Sequence, residues 1–119
     1  MKDFRDLKVW EKAHQLTLSI YQSTISFPRD EQYGLTSQIR RAAASIPANI
    51  TEGSGKNGDA ELSRYFQIAM GSSSELEYEL MLAHDLHYLD DSKFNELSAS
   101  LVEVRRMLNA LIQRLRANR

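Results

Sequence analysis

The chain has 119 residues, no cysteine, and 15 basic against 16 acidic residues, which gives a formal net charge of −1. This length predicts a single domain over residues 1–119, with a core large enough to fold without a disulfide or a structural metal. The absence of cysteine excludes disulfide scaffolds, thiolate zinc sites and thiol nucleophiles, and the balanced charge gives no overall attraction to nucleic acid.

The first helix is predicted from apolar residues at helical spacing. Val9, Ala13, Leu16 and Ile20 recur every three or four residues, the pattern of a helix with one buried side. Phe27-Pro28 ends the segment, because a residue that precedes proline is biased away from helical backbone angles.

A second helix is predicted from about Asp30 or Tyr33 to Ile50. Its apolar side carries Leu35, Ile39, Ala42, Ile46 and Ile50. Pro47 has no backbone N–H and clashes with the carbonyl of Ala43, four residues earlier, so a bend is expected there. Residues 51–58 are rich in glycine and polar residues, and they predict the turn to the third helix.

The third helix is predicted over a single apolar phase from Leu62 to His87, with Asp59 as a candidate N-cap. The small residues from Gly71 to Ser74 weaken this helix, and the sequence from Ser74 to Glu77 resembles a capping box, so a break is an alternative. Because the apolar phase is the same on both sides, we predict one continuous helix. The small residues then indicate a close crossing with a neighbour.

The fourth helix has the most regular pattern, capped by Asp91 or Ser92. Apolar residues alternate spacings of three and four at Phe94, Leu97, Leu101, Val104, Leu108, Leu111 and Leu115. Four helices with short connections, and no predicted strand, indicate an all-α protein folded as an antiparallel up-down-up-down bundle.

Few residues suggest chemistry. Glu11 and His14 have the spacing of di-iron bundle ligands, but the second copy of that motif is missing. His84 and His87 lie about one helical turn apart, which is half of a zinc or nickel site without an assured third ligand. We therefore predict no catalytic residue, no cofactor, no bound metal and no small-molecule substrate.

Charge is distributed unevenly along the chain. Among the charged residues, acidic ones dominate from Glu75 to Glu103, and those after Glu103 are all arginines. Complementary solvated faces on two helices explain this pattern, and a local phosphate-binding patch is the alternative. On the last helix, the candidates for nucleic-acid contact are Arg105, Arg106, Arg114 and Arg116, followed by Arg119. Near the second turn, the candidates are Arg40, Arg41, Lys56 and Arg64.

Several linked motifs resemble a known family over nearly the whole chain. They are Phe4-x-x-Leu7-x-Val9-Trp10-x-x-Ala13, Phe27-Pro28-x-x-Glu31-x-Tyr33-Gly34-Leu35, Gln38-Ile39-Arg40-Arg41-Ala42, Ser45-Ile46-Pro47-Ala48-Asn49-Ile50-x-Glu52-Gly53 and Arg64-Tyr65-Phe66-x-Ile68-Ala69-x-Gly71-Ser72-x-x-Glu75. They resemble the small four-helix-bundle proteins encoded in 23S rRNA intervening sequences, with the accessory variability proteins of diversity-generating retroelements as relatives.

The resemblance implies a four-helix bundle that assembles into a ring, typically a homopentamer, without established enzymatic activity. The retroelement branch is associated with nucleic acid and a reverse transcriptase and is strongly basic, whereas this chain has a net charge of −1.

Self-association is also expected from the residues. Apolar or aromatic residues lie beside the predicted buried stripes, and such wide apolar faces favour a partner surface. They are Trp10, Tyr21, Tyr33, Tyr65, Ile68, Val102 and Ile112. The predicted interface comprises Arg40, Arg41, Ala43, Ser45, Asn49, Glu52, Gly71 and Glu75. In it, Arg40 or Arg41 pairs with Glu52 or Glu75, within one chain or between chains.

The leading hypothesis is a non-enzymatic homo-oligomer that acts as a scaffold or interaction module. The alternative is an RNA-binding accessory protein that uses arginines repeated around a ring. The N-terminus has no apolar signal segment, and no apolar run approaches the roughly 20 residues that span a membrane. We therefore expect a cytoplasmic protein without a membrane partner.

Overall fold

The computed structural model describes residues 3–117, which form four α-helices and no strand. The helices are α1 (Lys8–Ser23), α2 (Leu35–Ser54), α3 (Asp59–Asp85) and α4 (Asp91–Ala117). Short 3₁₀ turns at Phe4–Asp6 and Arg29–Glu31 precede α1 and α2. The predicted all-α fold with four helices is confirmed. None of the helices in this described part of the chain is both long enough and apolar enough to cross a membrane.

The helices form an elongated bundle that measures 46 × 23 × 20 Å. Helices that are adjacent in sequence pack together, and α4 packs back against α1. Residue pairs along the α2–α3 contact run in opposite chain directions: Ser45 contacts Ser72 near the middle of both helices, and Gly53 near the end of α2 faces Tyr65 near the start of α3. The pairs Thr17–Ala43 and Thr24–Arg40 show the same for α1 and α2, and the pairs Glu77–Arg105 and His84–Asp91 show it for α3 and α4. Helices that are adjacent in sequence are therefore antiparallel.

The core lies along the bundle axis and is formed by the predicted apolar stripes. Its largest fully buried side chains come from all four helices: Phe66, Ile20, Ile39, Ile46, Ile50, Leu76, Leu80, Leu97, Leu101, Leu108, Val9 and Val104. Since burying such a side chain contributes about 1.5–3 kcal/mol, this stripe supplies the main favourable term for folding.

The third helix is continuous through Gly71, as predicted. Ser73 is fully buried within it, and its hydroxyl donates to the carbonyl of Met70 at 2.6 Å. A small residue with an internal hydrogen bond therefore fills this core position without a break in the helix. The helix ends at Asp85, however, and the prediction that it reaches His87 is wrong.

The end of α3 is a left-handed helix terminus. His87 has φ of +65°, and the N–H groups of His87 and Tyr88 donate to the carbonyls of His84 and Ala83, respectively. This pairing is the Schellman motif, in which glycine is the usual left-handed residue.

The second helix is longer at its C-terminus and starts later than predicted. It continues through Pro47 to Ser54, so the turn is confined to residues 55–58. Gly53 allows the close approach of α3, because a Cβ atom there would lie 2.8 Å from the Cβ of Tyr65. Gly58 then turns the chain with φ of +92°. The bend expected at Pro47 stays a prediction.

The buried side of α4 differs from the predicted seam near its end. Ile112 is 5% exposed and belongs to the core, whereas Leu111 and Leu115 are only partly buried. An α-helix has 3.6 residues per turn, so its buried stripe drifts by about 20° per heptad from a strict seven-residue repeat. The predicted N-cap is also displaced by one residue, because Asp90 accepts from the N–H of Lys93 at 2.7 Å.

Candidate functional site

Arg40 is held within its own chain by the end of α1. Its Nε donates to the Thr24 hydroxyl at 2.8 Å, and one terminal nitrogen donates to the carbonyl of Tyr21 at 3.3 Å. Its guanidinium also lies 4.8 Å from the centre of the Tyr21 ring. A cation at a helix C-terminus interacts favourably with the helix dipole and with unpaired carbonyls. Within the chain, this contact takes the place of the predicted pairing of Arg40 with Glu52 or Glu75, and a pairing between chains stays a prediction.

Ala43 lies in the core of the single chain, where it is 1% exposed. Its side chain is therefore not available to a second chain, and its assignment to an intersubunit interface is wrong. Its carbonyl oxygen accepts from the Thr17 hydroxyl at 3.0 Å. The small side chain thus serves the packing of α2 against α1.

Three further residues of the predicted interface make contacts inside the chain. The hydroxyls of Ser45 and Ser72 lie 2.7 Å apart, and the Asn49 amide donates to the carbonyl and the hydroxyl of Ser45. Glu52 accepts from the Tyr65 hydroxyl at 3.0 Å. Within the chain, Glu52 therefore contacts a hydroxyl and not an arginine, and the predicted ion pair between chains stays a prediction.

Gly71 and Glu75 are exposed on α3, together with two large apolar side chains. Ile68 is 40% exposed and Tyr78 is 56% exposed. Spacings of three, four and three residues put Ile68, Gly71, Glu75 and Tyr78 on one side of the helix, opposite its buried stripe. We call these four residues the α3 row. A Cβ atom added at Gly71 would have no neighbour within 4 Å among the described residues.

Glu79 is a buried acid beside this row that the sequence analysis missed. It is 4% exposed, and its Oε1 atom has no hydrogen-bond partner among the described residues. Burial raises its pKa from 4.5 to about 7, and the charge of Glu75 adds to that rise. The sequence does contain a signal for this burial: Glu79 lies three residues after Leu76 and four before Ala83, and both of these are core residues.

The four arginines of α4 predicted to contact nucleic acid differ in their surroundings. Arg105 pairs with Glu77 at 2.9 Å and donates to the Ser74 hydroxyl at 3.2 Å, so it joins α4 to α3. Arg106, Arg114 and Arg116 are exposed and have no ion pair within residues 3–117. Arg119 lies outside the described residues.

A second basic surface lies where the end of α1 meets the start of α2. Tyr21, Tyr33 and the two arginines of α2 border a hollow of about 510 Å³. Tyr33 is 91% exposed, and Arg41 is exposed without an ion pair in the described chain. Sequence reasoning gave Arg40-Arg41 as a pair but not their neighbours from α1, because that contact depends on how the two helices align.

The histidines do not form the arrangements suggested by their spacing. His84 stacks on Phe94 at 4.3 Å and contacts Asp91 at 2.7 Å, whereas His87 lies beyond the helix end. His14 stacks on Trp10 with ring centres 4.9 Å apart. Within residues 3–117, no three His, Cys, Asp or Glu side chains are grouped so that they could hold a metal ion.

The model of the 23S rRNA-intervening sequence protein family matches residues 5–110. In fold, the chain is similar to the crystal structure of a protein with unknown function from the S23 ribosomal protein family of Bacteroides thetaiotaomicron, with a TM-score of 0.79 and 23% sequence identity. The similarity covers 87% of this chain and 97% of that one. None of the curated proteins matches the chain significantly. The chain therefore belongs to the family of 23S rRNA-intervening sequence proteins.

Proposed function

We propose that the protein is a non-enzymatic homo-oligomeric interaction module in which the α3 row contacts a second copy of the chain. The observation that carries this proposal is Gly71, an exposed glycine in the middle of a 27-residue helix. Glycine destabilises a helix interior by about 0.5–1 kcal/mol relative to alanine. Packing within the chain does not require it, because the space beside it is open. A partner backbone that approaches closely would require it.

The surface around Gly71 supports the same proposal. Ile68 and Tyr78 flank it on the exposed side of α3. Met81 and Val102 continue the apolar surface into a groove of about 360 Å³ between α3 and α4. Several large apolar side chains exposed on one side of a helix pair are typical of an interface between proteins.

The assembly we propose is a closed ring. A contact between two different surfaces, repeated by rotation, closes into a ring when the rotation divides a full turn. The count of five chains comes from the family resemblance.

Native mass spectrometry of the full chain at low micromolar concentration tests this proposal. We expect one closed oligomer, most simply a pentamer, for the wild type and smaller species for Tyr78→Glu. Asn109→Glu, an exposed change on α4, is the matched control and should keep the wild-type mass. A monomeric wild type would contradict the proposal, and so would a Tyr78→Glu oligomer of unchanged mass.

The exposed arginines of α4 support a second candidate function, which is binding of RNA phosphates. Arg106, Arg114 and Arg116 have no acidic partner in the described chain, and a ring would repeat them. Replacing all three by alanine should weaken RNA binding and lower the salt dependence of the binding constant by about 0.7 per lost phosphate contact. Fluorescence anisotropy with a labelled RNA at several salt concentrations measures both. Unchanged affinity and slope in the triple variant would rule out this role for α4.

A further inference from the structure

We propose that the corner between the end of α1 and the start of α2 binds single-stranded nucleic acid, with Tyr33 stacked on a base and the nearby arginines on phosphates. This inference rests on the second candidate function, that the protein binds nucleic acid, but it assigns the binding to a different surface. It requires neither the α4 arginines nor the α3 row.

The corner consists of two adjoining hollows of about 340 and 510 Å³. Gln32, Thr36 and Arg40 border both, so the hollows form one continuous surface. Arg29 borders the first, and Arg41 borders the second. No acidic side chain is among the residues that line either hollow. In a chain with a net charge of −1, this surface is a local concentration of positive charge suited to an anionic ligand.

Arg40 is positioned before any ligand arrives. Its contacts with Thr24 and Tyr21 fix the guanidinium but use Nε and only one of the two terminal nitrogens. The other terminal nitrogen keeps its donors for a phosphate oxygen. Such preorganisation lowers the entropic cost of binding.

The segment that carries Arg29 and Tyr33 is also fixed. Glu31 lies between them, where one carboxylate oxygen accepts from the N–H of Leu35 at 3.1 Å and the other accepts from the Tyr88 hydroxyl at 3.0 Å. Both oxygens of this carboxylate therefore hold the loop in place against the end of α3. The backbone that carries Arg29 and Tyr33 is positioned by these contacts.

The aromatic side chains indicate the class of anion. Tyr33 is 91% exposed, so the fold does not use its ring for packing, and Tyr21 is 44% exposed beneath the guanidinium of Arg40. Aromatic rings beside a basic groove are the arrangement on which single-stranded nucleic acids stack their bases. A duplex keeps its base faces covered, and a free phosphate would make no use of the rings. Single-stranded nucleic acid is the ligand that uses both features.

Fluorescence anisotropy with labelled 12-nucleotide oligo(U) and oligo(dT) tests the proposal on the full chain. We expect Tyr33→Ala to weaken binding of both strands by about 5- to 150-fold, since stacking on an aromatic ring contributes roughly 1–3 kcal/mol per base. Tyr33→Phe keeps the ring and should bind like the wild type. Arg41→Ala should weaken binding and lower the salt dependence by about 0.7.

Three outcomes would overturn the proposal. Failure of the wild type to bind either oligonucleotide would overturn both this site and the second candidate function. Wild-type binding by Tyr33→Ala and Arg41→Ala, with loss of binding in the α4 triple variant, would support the second candidate function and overturn this site. Heparin is a polyanion without bases, so an equal loss of heparin and oligonucleotide binding in Tyr33→Ala would overturn base stacking.

Discussion

The hydroxyl of Thr17 in α1 lies 3.0 Å from the carbonyl oxygen of Ala43 in α2. In an uninterrupted helix, that carbonyl would accept from the N–H of residue 47, but proline has none. Thr17 also contacts the carbonyl of Ala13 at 2.9 Å, so its single hydrogen is shared between two helices. A neighbouring helix thus satisfies a buried carbonyl that Pro47 leaves without its usual donor.

We predict that Thr17→Val lowers the free energy of unfolding by about 1–3 kcal/mol, because it leaves the buried Ala43 carbonyl without a donor. Thr17→Ser keeps the hydroxyl and should lower the free energy of unfolding by less than Thr17→Val does. Urea denaturation at fixed chain concentration measures both.

The double variant isolates this mechanism. Alanine at position 47 restores a backbone N–H that can donate to the Ala43 carbonyl. Thr17→Val should therefore lower the free energy of unfolding less in a Pro47→Ala background than in the wild type. The same loss in both backgrounds would mean that the threonine does not compensate for the proline.

Because Glu79 is buried with a raised pKa, we predict that the protein loses stability as the pH rises. The pKa of Glu79 in the folded protein is about 7, against 4.5 for a glutamate that is not buried, so the folded state binds more protons than the unfolded state between these two values. The stabilisation is complete below about pH 4.5 and is lost as the pH rises through 7. We expect Glu79→Gln to flatten this part of the pH profile and to raise the free energy of unfolding at pH 8.

Urea denaturation between pH 4 and pH 8 measures this dependence. Glu75→Gln is the matched control, since it removes the smaller, neighbouring contribution and should flatten the profile only in part. A Glu79→Gln profile parallel to that of the wild type would contradict a buried, titrating carboxyl.

We predict that replacing His87 by glycine at the end of α3 stabilises the protein. The φ of +65° at His87 is unfavourable for a side chain with a Cβ atom but not for glycine. His87→Gly should raise the free energy of unfolding by about 1 kcal/mol. Thermal unfolding of this variant, with His84→Gly inside the helix as a destabilised control, measures the difference. A lower melting temperature for His87→Gly would show that the imidazole has another role.

We also expect the purified protein to carry no stoichiometric metal. His84 contacts Asp91 and stacks on Phe94, and the spacing of Glu11 and His14 occurs without a second copy. Elemental analysis of protein made without an affinity tag measures iron, zinc and manganese. One equivalent or more of any of them per chain would disprove this prediction.

Local patterns were sufficient to predict the helices, but not all of their ends. The common phase of Leu62, Phe66, Leu76 and Leu80 correctly predicted one helix through Gly71. Helix ends depend on single hydrogen bonds, such as the contact from Lys93 to Asp90, and on the left-handed backbone of His87. Apolar periodicity does not report these features.

The candidate surfaces could be predicted only in part. The row that contains Gly71 and Glu75 follows from helical spacing along one helix. The contacts of Arg40 with Thr24 and of Thr17 with Ala43 depend on how α1 and α2 align, which apolar spacing does not fix. For the same reason Ala43 was assigned to an interface, although it lies in the core.

The burial of Ala43 changes which substitution tests self-association. Ala43→Glu would place a charge in the core, so we expect it to unfold the chain rather than separate folded chains. Gly71→Leu adds its side chain to open space and improves helix propensity, so a single chain should tolerate it.

The mass of the Gly71→Leu protein by native mass spectrometry, beside its helix content by circular dichroism, therefore tests the central claim most directly. We predict a helical protein that no longer forms the wild-type oligomer, because the added side chain blocks the close approach of a second chain. Gly71→Ala, a smaller change, should weaken the oligomer less. A fully helical Gly71→Leu protein with the wild-type mass would contradict the proposed interface.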